Sequence, residues 1–197
     1  MKFPVFPLNG AILFPGTNLP LNIFEPRYIQ MVDYALSNNR LIGMIQSRED
    51  NTFFNIGCLG KITNFTETTD GRYQINLEGL NRFKYKKIIK TSNKFITIEA
   101  YELVYKENTK TKSDSSHKSL MMSFKKFLNV KKIKFNTSEF EELNTINLAK
   151  IICVISPLDY LIKQMLLECD SEDELCSNLI SVLEIEINNT DNSIKIN

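Results

Sequence analysis

The residues that most often perform chemistry in proteins are few in this chain and lie far apart. Its four cysteines are Cys58, Cys153, Cys169 and Cys176, with no Cys-x-x-Cys pair, and its only histidine is His117. A zinc site needs three or four ligands at close spacing, and a cysteine or serine nucleophile needs a neighbouring base, commonly histidine. The sequence therefore predicts no metal site and no histidine-based catalytic centre, and we expect its cysteines to be free thiols that serve in packing.

Glycine patterns that hold phosphates are also missing from the sequence. A P-loop requires Gly-x-x-x-x-Gly-Lys followed by serine or threonine. The only Gly-Lys pair, Gly60-Lys61, is followed by Ile62 and lacks the upstream glycine. Gly57 and Gly60 fall inside a predicted strand and not between a strand and a helix, so they form no dinucleotide fingerprint. We therefore expect no cofactor and neither ATP nor NAD chemistry.

Charge is balanced over the 197 residues (22.8 kDa) but not along them. Residues 82–134 carry 15 basic and four acidic side chains, a net charge of +11, whereas the whole chain has a formal net charge of +1. Phe83, Tyr85 and Phe95 are interspersed with these lysines, which leaves RNA binding as an alternative function. Because 14 of the 15 basic residues are lysine and RNA sites usually combine arginine with an aromatic platform, a solvated lysine-rich surface is the simpler interpretation.

The elements that would position functional residues fall into three parts. Residues 1–105 predict a strand-rich subdomain, because short runs of Ile, Val, Phe and Tyr recur between turn signals. The predicted strands are 41–45, 56–65, 73–77, 83–89 and 95–104, with a hairpin turn at Asp70-Gly71. One helix begins at Pro26 and ends at Asn38-Asn39.

The remainder of the chain predicts a linker and a helical subdomain. Residues 106–118 contain no apolar side chain and predict a mobile polar linker. From 119 to 197 the apolar period becomes helical. Ser138 and Ser171 each begin a Ser-x-x-Glu capping box, and Ser156-Pro157 predicts a further helix start. The predicted buried stripes are Leu158, Leu161, Ile162, Met165 and Leu166, and then Leu175, Leu179, Val182 and Leu183.

No segment predicts a membrane span or a signal peptide. A span needs about 18 consecutive apolar residues, and the apolar start of the chain is interrupted by Pro4, Pro7 and Pro15. A secretory signal would need an unbroken apolar stretch and a small-residue cleavage site. Together with the unpaired cysteines, this predicts a cytoplasmic protein.

The most specific local pattern spans residues 3–36. Phe-Pro pairs begin at Phe3, Phe6 and Phe14, Gly16 follows the third pair, and LPLNIFEPRY then leads into the predicted helix. Later patterns are IGCLGKI at 56–62, DGRY at 70–73, GLNRF at 79–83 and SPL at 156–158. In this order they closely resemble the Lon protease N-terminal domain of the peptidase S16 family, a substrate-binding domain that also occurs alone in small bacterial proteins. The resemblance covers about residues 3–185.

The resemblance implies both a fold and a function. The fold is α+β: a PUA-like β pseudo-barrel with one helix over 1–105, the linker over 106–118, and a C-terminal helical bundle over 119–197. In full-length Lon enzymes this domain recognises unfolded or tagged polypeptide, while other domains supply ATP hydrolysis and proteolysis. We therefore expect a non-enzymatic protein that binds unfolded or tagged polypeptide or a protein partner and has no membrane role, with RNA binding through the barrel and the basic segment 82–134 kept as the alternative. Whether the protein forms a homo-oligomer is left open.

The residues of the family motifs are expected to be structural, because proline and glycine fix backbone angles rather than perform chemistry. They are Phe14, Pro15, Gly16, Pro20, Phe24, Glu25, Pro26, Arg27, Tyr28, Gly57, Gly60, Gly79, Arg82 and Phe83. Those from Phe14 to Tyr28, apart from the charged pair, are expected in the core or in turns. Glu25 is expected to pair with Arg27 or Arg82 in a partly buried ion pair that ties the helix start to the sheet, at a cost of about 3–5 kcal/mol when one partner is removed. The sequence identifies no polypeptide-binding residue.

Overall fold

The computed structural model describes residues 1–106 and 114–195. The strands are β1 (Lys2–Pro7), β2 (Asn18–Ile23), β3 (Leu41–Ile45), β4 (Ile56–Glu67), β5 (Tyr73–Ile89) and β6 (Ile96–Leu103). The helices are α1 (Pro26–Leu36), α2 (Asp114–Val130), α3 (Thr145–Ile155), α4 (Tyr160–Glu168) and α5 (Glu172–Lys195), with a 3-10 turn at Ser138–Phe140. They form two compact units. The first comprises residues 1–104 and 157–167, and the second comprises residues 105–156 and the chain from 168 onward.

The strands of the first unit close into a ring. Their order is β2-β5-β4-β3-β1-β6, and β6 also pairs with the second half of β5. Strands β1 and β3 run parallel, and the other pairs are antiparallel. Strand β2 pairs only with β5, so its other edge has no partner among the described strands. This closure confirms the predicted α+β fold with a β pseudo-barrel.

The core of the first unit consists of two apolar clusters. Phe3 and Val5 of β1 belong to one cluster and Phe6 belongs to the other, because successive residues of a strand point to opposite faces. The cluster around Phe6 includes the buried face of α1, which carries Met31 and Val32. This packing fixes the start of α1 against the barrel.

The hairpin between β4 and β5 is where the sequence predicted it, but β5 is longer than expected. Gly71 has a φ of 78°, and Glu67 pairs with Tyr73 across the turn, which confirms the turn at Asp70-Gly71. The predicted break between 77 and 83 is wrong, since β5 runs unbroken through Gly79. The pairing register between β4 and β5 shifts near Gly79 through a β-bulge, so the strand continues across this position.

The buried face of helix α4 agrees only in part with the predicted stripe: Leu166 is fully buried, and Leu158 just before the helix is 8% exposed. Leu161 and Met165 of the predicted stripe are 51% and 41% exposed, whereas Gln164 is 2% exposed. The side-chain amide of Gln164 donates to the carbonyl of Ile56 at 3.0 Å and accepts from Nε2 of Gln46 at 3.1 Å. The helix is therefore held to the strands by a buried polar contact, which apolar periodicity does not reveal.

Residues 157–167 group with the strands, although the sequence placed them in a helical subdomain over 119–197. Residues 157–167 are held to the strands by buried hydrogen bonds. Besides the contacts of Gln164, the carbonyl of Leu167 accepts a hydrogen bond from Nη1 of Arg82 at 2.8 Å. The chain thus returns to the first unit for one short helix.

The second unit is built from α2, α3 and α5, which contact one another pairwise. Leu175, Leu179 and Leu183 of α5 are fully buried, as the predicted stripe requires, and Ser171 caps the helix by accepting from the Glu174 N–H at 3.2 Å. The prediction of a capping box at Ser138 is wrong, because that residue begins a 3-10 turn whose N-cap residue forms no side-chain capping hydrogen bond.

The predicted linker differs in part from the structure. Residues 107–113 lie outside the described residues, and residues 114–118 form the first turns of α2 rather than a loop. Asp114, Ser115 and Ser116 are residue types that favour helix starts. Within the described ranges, no helix combines the length and apolar character needed to cross a membrane.

Candidate functional site: a groove on the pseudo-barrel

The first motif forms a turn that docks on β5. The hydroxyl of Thr17 accepts from the N–H of Phe14 at 3.2 Å and donates to its carbonyl at 2.9 Å. Gly16 has a φ of 79°, and its N–H donates to the carbonyl of Gly79 at 2.8 Å, while the N–H of Gly79 donates to the Thr17 carbonyl at 2.8 Å. Pro15 lies at the corner of this turn. The motif is therefore structural, with Phe14 fully buried.

Three further motif residues lie inside the barrel wall. Gly57 and Gly60 are buried on β4, and Phe83 is fully buried on β5. The Phe83 ring fills the core, and the two glycines leave room for their neighbours to pack closely. Pro20 lies on the open-edge strand β2 and is exposed. The prediction of a core or turn position is therefore wrong for Pro20; proline, which has no N–H, is tolerated on an edge strand of this kind.

The start of α1 carries the next motif residues toward the surface. Pro26 occupies the first helical turn, where its missing N–H costs nothing. Tyr28 is 7% exposed and packs its ring 4.2 Å from the ring of Phe6. Phe24, expected in the core or a turn, is 63% exposed. The core prediction for Phe24 is wrong, because the side chains of β2 alternate and Ile23 takes the inward position.

The predicted ion pair of Glu25 is present but lies at the surface. Of the two expected partners, the structure pairs it with Arg27, at 2.9 Å, and their side chains are 43% and 54% exposed. Such a pair contributes about 0–1 kcal/mol, so the expected cost of about 3–5 kcal/mol is wrong for it. The pair joins neighbouring residues and does not tie the helix to the sheet.

Arg82 has the buried role that was expected of Glu25 and its partner. It is 1% exposed and is among the largest fully buried side chains of the described residues. Its guanidinium donates to the carbonyl of Leu167 at 2.8 Å. Arg82 therefore anchors α4 to β5.

A groove opens on the first unit next to the start of α1. We call it the barrel groove; its volume is about 830 Å³. It lies among the end of β1, the first turn of α1, the loop between β3 and β4, and the paired strands β5 and β6. It is lined by Pro7, Arg27, Tyr28, Ser47, Arg48, Asn51, Thr52, Phe53, Asn55, Tyr85, Ile88 and Ile96.

The walls of the barrel groove combine apolar and cationic side chains. The rings of Phe53 and Tyr85 meet edge to face at 5.7 Å, and Ile88 is 52% exposed. Arg27 lies over the ring of Tyr28 with its Cζ 4.5 Å from the centroid. Burial raises the pKa of the Tyr28 phenol above its ordinary value, and the positive charge of Arg27 opposes that shift, so Tyr28 is neutral at physiological pH.

The loop between β3 and β4 is shaped by short-range hydrogen bonds. Ser47 pairs with Phe53 across it, and a guanidinium N–H of Arg48 donates to the Phe53 carbonyl. The Asp50 carboxylate accepts from both the N–H and the hydroxyl of Thr52, at 3.0 and 2.6 Å, and this lowers the pKa of Asp50. The loop thus presents Arg48 and Phe53 to the groove from a fixed turn.

These walls place apolar surface beside two guanidinium groups. Apolar surface beside arginine suits apolar side chains and anionic groups. Among the described residues, no cluster of three or more histidine, cysteine, aspartate or glutamate side chains is placed to hold a metal ion. Sequence reasoning missed Arg48, Phe53 and Ile88 and named Tyr85 only for the alternative RNA site, because no local pattern joins residues brought together from different elements.

Comparison with known proteins gives matches that span nearly the whole chain. A family model described as the substrate-binding domain of the ATP-dependent protease La (LON) matches residues 2–184. The Lon proteases of Buchnera aphidicola subsp. Baizongia pistaciae and Escherichia coli K12 are 25% and 22% identical to the chain over 95% of its length, and each match covers 25% of the relative. The chain therefore spans about a quarter of the length of these curated relatives.

Two solved structures share the fold. A Lon N-terminal domain protein from Xanthomonas campestris aligns with a TM-score of 0.71 at 17% identity, covering 92% of this chain and 98% of that one. The N-terminal domain of the Mycobacterium avium complex Lon protease aligns with a TM-score of 0.71 at 18% identity, covering 93% and 98%. At these identities the likeness concerns the fold.

Proposed function

The chain belongs to the family of the Lon substrate-binding domain, and on that premise we propose that it binds unfolded or tagged polypeptide without catalysing a reaction on it. The family match falls on a substrate-binding domain and not on an ATPase or protease domain. Substrate recognition is thus the function that the family supports, and the non-catalytic role and the place of binding are our proposals.

The barrel groove is the observation that carries the proposal. Unfolded chains offer apolar side chains and free backbone groups, so a protein that recognises them needs accessible apolar surface. The groove supplies the partly exposed Ile88 beside Phe53 and Tyr85. Its asparagine, serine and threonine side chains can hydrogen-bond to backbone groups of a bound chain.

The charges of the basic segment favour polypeptide over RNA as the ligand. Lys86 and Lys87 both pair with Glu99, at 2.8 and 3.5 Å, and the hydrogen bond to Glu99 raises the pKa of Lys86. In the second unit, Lys131 pairs with Glu186 at 2.7 Å. These neighbouring carboxylates lower the net positive charge of the segment, whereas RNA binding requires cations for many phosphates.

The proposal is tested by titrating the protein against a fluorescently labelled polypeptide that is reduced and carbamidomethylated so that it cannot refold. Fluorescence anisotropy at low and high salt measures the affinity. We expect binding that persists at high salt, since apolar contacts are not screened. Ile88→Ser should weaken it about tenfold, because the lost apolar contact amounts to about 1.4 kcal/mol.

Ile185→Ser is the matched control, since Ile185 is 57% exposed and Ile88 is 52% exposed but Ile185 lies on α5 in the second unit. It should bind as the parent does. Equal affinities for both variants would contradict the groove as the binding place. Binding of a labelled single-stranded RNA that falls steeply with salt, with no binding of polypeptide, would contradict the proposed function.

A further inference from the structure

The charges that line the barrel groove have one sign only. Arg27 enters from the first turn of α1 and Arg48 from the loop between β3 and β4, and the other lining residues carry no carboxylate and no lysine. Carboxylates lie next to both arginines but do not line the groove: Glu25 pairs with Arg27, and Arg48 is followed by Glu49 and by Asp50, which Thr52 bonds within the loop. The groove therefore presents two cations to whatever enters it.

Both guanidinium groups are positioned by aromatic rings. The Cζ of Arg27 lies 4.5 Å from the ring centroid of Tyr28, and that of Arg48 lies 4.6 Å from the centroid of Phe54. A guanidinium held by a ring face has less freedom to lose when its N–H groups bind a planar carboxylate. Arg48 uses one of these N–H groups on the Phe53 carbonyl, which leaves the others for a ligand.

The existing pair of Arg27 does not block a ligand. The side chains of Arg27 and Glu25 are 54% and 43% exposed, and an exposed pair of this kind is weak. A carboxylate of a bound chain can share or replace it at little cost. By contrast, a carboxylate brought to Arg48 meets no carboxylate in the groove lining.

We propose that the barrel groove prefers polypeptide segments in which acidic side chains flank an apolar or aromatic one. This inference rests on the proposed function and names the class of segment that the same site would select. Two guanidinium groups on separate elements match two carboxylates along one segment, whereas the C-terminus of a chain offers a single carboxylate. The wall formed by Phe53, Tyr85 and Ile88 receives the apolar side chain between them.

Two short labelled peptides test the preference by fluorescence anisotropy. Both are amidated at the C-terminus, and they differ only in having glutamate or glutamine on either side of a central phenylalanine. Each partly exposed ion pair is expected to strengthen binding about threefold, so the glutamate peptide should bind about tenfold more tightly than the glutamine peptide at low salt. Arg27→Gln and Arg48→Gln should each lower the affinity for the glutamate peptide about threefold and leave that for the glutamine peptide unchanged.

Arg72→Gln is the matched control for Arg27→Gln. Arg72 is 52% exposed and pairs with Asp70 at 2.9 Å, as Arg27 pairs with Glu25, but it lies in the β4–β5 turn and does not line the groove. It should keep the full preference for the glutamate peptide.

Four results would overturn the inference. Equal binding of both peptides, or a preference unchanged in both arginine variants, would remove the role of the arginines while leaving the proposed function intact if unfolded polypeptide still binds and Ile88→Ser still weakens it. Tight binding seen only with versions of the same peptides that are not amidated, and so carry a free C-terminal carboxylate, would assign the arginines to a chain terminus instead. If neither the peptides nor the unfolded polypeptide binds, the proposed function fails together with the inference.

Discussion

Replacing Gly79 with alanine tests whether the first motif holds the barrel by a backbone contact. A Cβ at this position would lie 2.0 Å from the carbonyl oxygen of Phe14 and 3.2 Å from Cγ of Leu13. An ordinary carbon–oxygen contact is about 3.3 Å or more. Because the obstructing atom belongs to the backbone, no side-chain rotation relieves the clash, and the Phe14 turn must move by more than about 1 Å.

The cost follows from the bonds that this movement breaks. The N–H and carbonyl of Gly79 form hydrogen bonds of 2.8 Å with Thr17 and Gly16, and a shift of about 1 Å takes both beyond hydrogen-bonding distance. Each lost bond contributes about 1 kcal/mol, and displacing buried neighbours adds about 1–3 kcal/mol. We expect Gly79→Ala to lower the free energy of unfolding by about 3–5 kcal/mol.

Urea unfolding followed by tyrosine fluorescence measures this loss. Six of the seven tyrosines belong to the first unit and the chain has no tryptophan, so the signal reports mainly on the pseudo-barrel. With a urea dependence of about 2 kcal/mol/M, the transition midpoint should fall by about 1.5–2.5 M.

Gly60→Ala supplies the comparison. Its Cβ would meet Cδ2 of Leu13 at 2.9 Å, the end of a side chain that can move, and we expect a loss of about 1 kcal/mol. If Gly79→Ala unfolds at the same urea concentration as the parent, or as Gly60→Ala, the backbone contact does not hold the turn and this reasoning is refuted.

Three further outcomes are expected. Arg82→Met should destabilise the first unit by about 2–4 kcal/mol in urea unfolding, because it leaves the α4 carbonyl without its donor; a variant as stable as the parent would contradict the anchoring role. Leu166→Ala, at a fully buried position, should cost about 2–5 kcal/mol, whereas Leu161→Ser, at an exposed one, should cost less than about 0.5 kcal/mol, and similar losses from both would mean that the two leucines are buried together, as the predicted stripe requires. The hydrogen bond from Thr68 holds the pKa of Asp70 below its ordinary value, so this contact stabilises the turn above the unfolded pKa and is lost as the pH falls through the folded one; Thr68→Val should raise that pKa in an NMR titration, and an unchanged value would refute the assignment.

Elements with local signals could be predicted from the sequence. The start of α1 follows from Pro26, whose ring suits the first turn of a helix, and the hairpin follows from Asp70-Gly71, because glycine accepts the positive φ of the turn. The family motifs extended these signals to the whole fold. These predictions needed only residues that are neighbours along the chain.

Features that depend on distant partners could not be predicted. The face of α4 is set by the buried bonds of Gln164 to β4 and to Gln46, and an apolar period cannot register a buried amide. The exposure of Phe24 depends on the phase of β2 against the core. The barrel groove brings Arg27 together with Arg48 from separate elements, so its composition becomes visible only in the folded chain.

The central claim is that the barrel groove binds unfolded polypeptide, and site-specific photo-crosslinking tests it most directly. A photoreactive amino acid replaces Ile88 in the groove, or Ile185 on α5 as the control, and each protein is irradiated with the labelled unfolded polypeptide. We expect a crosslinked adduct from position 88 whose yield falls when excess unlabelled polypeptide is added. The yield of adduct from position 185 should be small. Adducts of equal yield from both positions, or from position 185 alone, would contradict it.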